Sequence, residues 1–103
     1  TTAQNLKAAF GGETFEVAEM YPAYAEVAKL QEEKGALTSM TRALEAEKVH
    51  ARLYSQAEQS VETKKDMELK QVYVCQVCGY TMEGDMPDRC PICGAVHTRF
   101  EKF

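Results

Sequence analysis

The chain has 103 residues, 45% of them hydrophobic, with a net charge of -4. That is about one ordinary domain, and its interspersed acids and bases form no basic stripe of the kind a nucleic-acid surface needs. No apolar run approaches the ~20 residues of a membrane span. Thr1 to Phe10 lacks the basic start and apolar core of a signal peptide, so a cytoplasmic protein without nucleic-acid or membrane partners is expected.

The spacing predicts two helices in the first part of the chain. Leu6, Phe10, Glu13, Val17, Met20, Tyr24 and Val27 recur at intervals of three and four, one face of a 3.6-residue period. Ala, Glu, Lys and Gln fill the other faces and favour the helix. Gly35, after Glu32-Glu33-Lys34, is the expected stop. Leu37, Met40, Leu44, Glu47, Ala51 and Tyr54 repeat the pattern in a second helix. A short turn makes the two antiparallel neighbours. Each helix spans roughly 25–30 residues, or roughly 40 Å, and two such helices cannot cover each other's apolar stripes. A second copy of the chain, or a further segment, must complete a bundle.

Composition shifts near residue 60. Residues 1–62 read as the helical half-bundle and 63–71 as a charged linker. Residues 72–103 form a small domain with all the cysteines. Strands are expected at Val72-Tyr73-Val74 and over Thr98 to Phe103, with turns at Cys78-Gly79-Tyr80 and Cys93-Gly94-Ala95 between them. This segment is too small for a hydrophobic core and needs a metal staple.

Cys75-x2-Cys78 and Cys90-x2-Cys93 supply that staple. Two such pairs deliver four thiolates to one tetrahedral ion, and in a chain without secretion signals this use of cysteine outweighs disulfides. The glycines after Cys78 and Cys93 supply the positive φ that turns backbone N–H groups toward the sulfurs. Those bonds offset thiolate charge and raise the potential of a redox metal. Iron and zinc both suit four sulfurs. The stretches Val74-Cys75-Gln76-Val77-Cys78-Gly79-Tyr80 and Asp88-Arg89-Cys90-Pro91-Ile92-Cys93-Gly94 resemble rubredoxin in its compact, terminal-domain form, with Phe100 at the family's aromatic position. The resemblance implies iron; a zinc ribbon is the other reading.

Polar residues interrupt the helical stripes at informative places. Glu13 lies between Phe10 and Val17, with Glu16 three residues on. Glu47 follows Leu44 on the second stripe, and His50 is three residues later. Positions i and i+3 share a helix face, and Glu-x-x-His is a ligand pattern of di-iron carboxylate bundles. Three carboxylates buried without a cation would be very costly. His97 and the methionines carry no such signal: His97 is expected to be exposed, and the methionines to fill gaps.

Gly12-Glu13-Thr14-Phe15-Glu16 with Glu19-Met20-Tyr21-Pro22, then Ala46-Glu47-Lys48-Val49-His50-Ala51-Arg52-Leu53-Tyr54, resemble the third and fourth helices of rubrerythrin, and the rubredoxin-type tail follows in the same order. The resemblance implies a ferritin-like four-helix bundle, of which this chain carries one helical hairpin, plus a small β knuckle domain. It implies Glu13, Glu16, Glu47 and His50 as iron ligands, Glu16 as the carboxylate that shifts with redox state, and Tyr21 as a hydrogen-bonding neighbour. Pro22 inside a helix removes one backbone bond, so a kink or bulge is expected there.

Four ligands from one hairpin do not enclose two irons. Either two chains share a two-fold site as a homodimer, or a complementary helix pair lies on another segment. The implied activity is reduction of hydrogen peroxide at a di-iron centre in oxidative-stress defence. Electrons would pass through one FeS4 iron per chain from an external reductase or rubredoxin. The competing classes are a zinc-ribbon adaptor, with zinc in place of iron, and a ferroxidase.

Overall fold

The computed structural model describes residues 1–103. Helix α1 spans Thr2–Phe15, started by a capping box in which Thr1 and Gln4 satisfy each other's backbone donors. It runs directly into a π-helical segment, Glu16–Met20, whose wide turn closes with the Tyr21 N–H donating to the Glu16 carbonyl. Helix α2, Tyr21–Leu30, continues from it with Pro22 in its first turn. Proline has no N–H to donate to Ala18, so the widened turn falls where the α-helical ladder loses that bond. The bulge expected from Pro22 is thus this π segment.

The π segment also corrects the predicted stripe. One extra residue in the turn rotates everything after it by about one residue, or ~100°. Beyond Met20 the inward positions are Tyr21, Ala25 and buried Ala28, while Tyr24 and Val27 stand half exposed. Up to Met20 the stripe holds, with Leu6, Phe10, Glu13, Val17 and Met20 partly covered.

Gly35 is not the stop. Helix α2 ends at Leu30, and Glu32 takes the left-handed conformation with φ 59°. The Glu33 N–H donates to the Ala28 carbonyl at 2.8 Å and the Glu32 N–H to Lys29 at 3.1 Å, the two bonds of a Schellman cap. Gly35 then falls in the first turn of α3, which spans Lys34–Glu62 and packs back along α1 and α2. A second Schellman cap closes α3, with Lys64 at φ 55° and the Lys65 N–H on the Ser60 carbonyl.

Residues 63–71 lead to a three-stranded antiparallel sheet ordered β2-β1-β3, with β1 at Val72–Cys75, β2 at Thr81–Glu83 and β3 at Phe100–Lys102. Strand β2 was not expected from the sequence, and the final strand is shorter than expected because His97–Arg99 forms a 3-10 turn. Register places Val74 opposite Thr81 and Cys75 opposite Phe100. Tyr80 meets Phe100 edge-on, ring centroids 6.5 Å apart, over the knuckle.

Only Ala28, Ala46, Cys75 and Cys90 are buried. The chain exposes 7124 Å², against about 5,800 Å² for a folded monomer of this mass. Phe15, Tyr24, Val27 and Leu30, the last 84% exposed, lie along the first helical limb without cover. No helix is long and apolar enough to cross a membrane.

Candidate metal centres

The knuckle is built by its turns. Gly79 and Gly94 adopt φ of 81° and 74°, which L side chains rarely reach, and their N–H groups donate to the Cys75 and Cys90 carbonyls at 2.9 Å. The tight turns aim further N–H groups at sulfur: Val77 and Cys78 at Cys75, Tyr80 at Cys78, and Ala95 at Cys93. The Sγ atoms of Cys75 and Cys93 are 3.7 Å apart, those of Cys78 and Cys90 3.6 Å. Four sulfurs at about 2.3 Å around a tetrahedral ion stand about 3.8 Å apart. The four cysteines are free thiols with the spacing of one ion.

Their acidities divide accordingly. Burial works against ionisation of Cys75, but the Val77 and Cys78 N–H groups overcome it and hold this thiol below its usual range. Burial pushes Cys78 and Cys93 up. A cation that binds the four sulfurs therefore displaces protons from thiols that would not ionise alone.

The second group sits on the helix pair. Ligand atoms of Glu13, Glu47 and His50 lie within 4.8 Å of one another, all three residues partly buried. His50 Nδ1 is 2.6 Å from Glu47 Oε2 and 3.6 Å from Glu13 Oε2. The Tyr21 hydroxyl donates a long, 3.5 Å bond to Glu47 Oε1. Glu16 is not gathered into this group: the π turn begins at Glu16, and its carboxylate acts on Glu13 and Tyr21 through charge.

Two observations fit this group to a cation. Glu13 Oε2 is buried with no hydrogen-bond partner. The second concerns the imidazole. His50 Nε2 lies 3.0 Å from the Gly79 carbonyl oxygen and 3.1 Å from Thr81 Oγ1. A carbonyl only accepts, so the ring proton is on Nε2. That leaves the Nδ1 lone pair facing a carboxylate oxygen at 2.6 Å, and a proton or a metal ion must lie between them. Burial first, then the Glu47 carboxylate, raises Glu13 to about 7, while His50 works against the rise. Burial, then the charges of Glu47 and Glu16, also raises Tyr21.

Gly79 and Thr81 are the neighbours that sequence reading missed. They lie about 30 positions from His50 and meet it only because the sheet packs on α3. His97 is exposed and belongs to neither group, as expected.

A helix pair bearing a carboxylate–histidine group, followed by a four-thiolate knuckle, defines a two-site metalloprotein of the bundle-plus-rubredoxin type. Residues 1–58 match the family described as rubrerythrin, and residues 73–101 match its rubredoxin-like domain. The chain belongs to the rubrerythrin family. It is 44% identical to rubrerythrin-2 of Clostridium acetobutylicum over 96% of its own length and 54% of that protein's. It is 35% identical to nigerythrin of Nitratidesulfovibrio vulgaris over 86% of itself and 43% of the relative. The mixed-valence structure of nigerythrin superposes on the whole chain with a TM-score of 0.87 at 30% identity, using 50% of the nigerythrin chain. A fully reduced, all-ferrous nigerythrin superposes equally well. The chain spans about half the length of the curated relatives it matches. The rubredoxin-like domain with its four cysteines and the carboxylate–histidine group point to iron sites.

Proposed function

We propose that this chain works as half of a peroxide-reducing di-iron enzyme, with Glu13, Glu16, Glu47 and His50 holding iron together with a second helix pair. Residues 1–62 would serve the bundle, 63–71 the link, and 72–103 the electron relay. The observation that carries the reading is the orphaned, buried Glu13 oxygen beside Glu47 and His50 on an uncovered helix pair.

Iron held there would supply the two electrons that split the O–O bond of hydrogen peroxide to water. The chain's own residues divide the remaining work. Glu13 and Glu47 bring negative charge from two helices to one place, and Tyr21 steadies Glu47 through its hydroxyl. His50 Nδ1 is the imidazole atom turned to the carboxylates. Glu16 flanks the group, able to join it when the second helix pair is present. Cys75, Cys78, Cys90 and Cys93 would hold one iron per chain, which would supply one-electron transfer from an external reductase or rubredoxin.

A second copy of the chain is the preferred source of the missing helices. The surplus of roughly 1,300 Å² over a folded monomer exceeds the ~800 Å² per partner of a standard interface. A two-fold axis would bring a second Glu13, Glu16, Glu47 and His50 to the first set.

The test is metal content and peroxide turnover on protein purified without oxygen. About two irons per chain are expected for one knuckle iron plus half of a shared pair. Peroxide should then reoxidise the reduced protein, and Glu47→Ala with His50→Ala should abolish this while the knuckle keeps its iron. About three irons per chain would mean that another polypeptide completes the site. A single ion per chain, unaffected by the two substitutions, would refute the helical site and leave an electron carrier or a zinc-ribbon adaptor.

A further inference from the structure

We propose that the Gly79–Tyr80 peptide, steadied by Thr81, is a hydrogen-bonded coupling element through which metal at the helical site tunes the potential of the knuckle iron in the same chain. The inference rests on the helical metal site proposed above.

The geometry is a relay through one peptide group. Its carbonyl, on Gly79, accepts from His50 Nε2 at 3.0 Å and from the Thr81 hydroxyl at 3.1 Å. Its N–H, on Tyr80, donates to Cys78 Sγ. C=O and N–H point in opposite directions across a trans peptide, so one planar unit spans from a ligand of one site to a ligand of the other. The Thr81 oxygen also lies 3.1 Å from His50 Nε2, closing a three-membered network of ring, carbonyl and hydroxyl.

The direction of coupling follows from the chemistry. A cation on Nδ1 draws electron density from the imidazole and makes Nε2–H a stronger donor. A stronger bond at the Gly79 oxygen polarises the peptide, and the Tyr80 N–H becomes a better donor to sulfur. Hydrogen bonds to cluster sulfurs favour the more negative, reduced state. Loading the helical site therefore raises the knuckle potential. Linkage makes the effect reciprocal: reducing the knuckle iron tightens cation binding at His50. Thr81 is a positioning residue in this scheme, because its hydroxyl donates to the same carbonyl and aligns it with the ring.

Plain charge–charge attraction would also raise the potential, so the test must separate the two. One equivalent of zinc fills the knuckle of the full chain, and further zinc is then titrated into the helical site. Amide proton shifts are followed for Tyr80 and for Val77, Cys78 and Ala95, which also donate to thiolates but lie off the relay. The Tyr80 amide is expected to move downfield well beyond the other three.

With iron in the knuckle, zinc at the helical site should raise the reduced-to-oxidised ratio at fixed potential roughly fivefold, the low end of site–site couplings. Thr81→Val should lower the potential before zinc is added, and Thr81→Ser should restore it. If zinc binds and Tyr80 moves no more than the other amides, the coupling is overturned while the helical site stands. If no second zinc binds, both readings fall together.

Discussion

The two metal-binding regions of this chain are built on opposite plans. The knuckle gathers four donors from two turns only 18 residues apart at their extremes, and two of its cysteines are almost wholly buried, Cys75 at 1% and Cys90 at 3% exposure. The helix pair gathers three donors from faces of α1 and α3, and leaves one of them, Glu13, with an orphaned oxygen. A turn can wrap an ion because its backbone curves around it. A helix presents one side chain per turn toward any axis, so a helical site needs as many helices as it has sides. One region is therefore closed within the chain, and the other is half of something.

Breaking the knuckle should have the largest effect. Structural four-thiolate ions supply roughly 10–16 kcal/mol to their small domains, so Cys90→Ser should unfold residues 72–103. Amide signals of that segment should lose their dispersion in NMR spectra while the helical circular dichroism persists.

Removing a helical donor should leave the fold and take the metal. His50→Ala should weaken cation binding at the helix pair by more than the roughly 10–100-fold that even indirect ligand support is worth. Metal analysis should find the knuckle ion retained.

Substitution on the rotated face should strike association alone. Val27→Asp places a charge on the uncovered limb, far in kind from either donor set. Pairing of two chains should weaken at least tenfold, about 1.4 kcal/mol, measured by sedimentation equilibrium, with the knuckle spectrum unchanged.

The pH dependence sharpens the contrast further. Glu13 is raised from 4.5 to about 7 by burial and the neighbouring carboxylate. A folded-state value above the unfolded one means stability that is fully present below pH 4.5 and lost as pH rises through about 7. Metal-free chain should show its melting midpoint falling across that window. In Glu13→Gln the fall should be smaller, and above pH 7 the variant should be the more stable of the two.

The smallest effects belong to the hairpin turn. Glu32→Gly relieves a left-handed residue, and Gly35→Ala removes a glycine from a helical turn where an added Cβ meets nothing within 4 Å. Each should stabilise the helix pair by about 0.5–1 kcal/mol, measured by urea unfolding, with the knuckle untouched.

The cysteine site was legible in the sequence because its spacing along the chain is nearly its spacing in space. Glu13, Glu47 and His50 were legible because helical periodicity carries i and i+3 to one face. Other features were not. Tyr24 and Val27 lie off the inward face because the widened turn before Pro22 rotates the whole of α2, which the 3.6-residue period alone does not carry. Glycine is the usual left-handed residue and points to Gly35 as the stop, whereas Glu32 takes that conformation and two backbone bonds hold it there. Gly79 and Thr81 became neighbours of His50 only through docking of the sheet on α3, which no local pattern encodes.

The π segment gives the first limb an unusual modularity. Everything up to Phe15, including Glu13, keeps the phase of α1, while α2 is turned about its axis by one residue's worth of twist. Excising a single residue from Glu16–Met20 would wind that segment back to α-helical pitch. Ala25 and Ala28 would go on facing inward, because the π turn is the form that one additional residue takes in the helix, and Glu13 would be left in place. The wide turn thus absorbs one residue of chain length without moving either the donor before it or the buried face after it, so length can change by one there while both are kept.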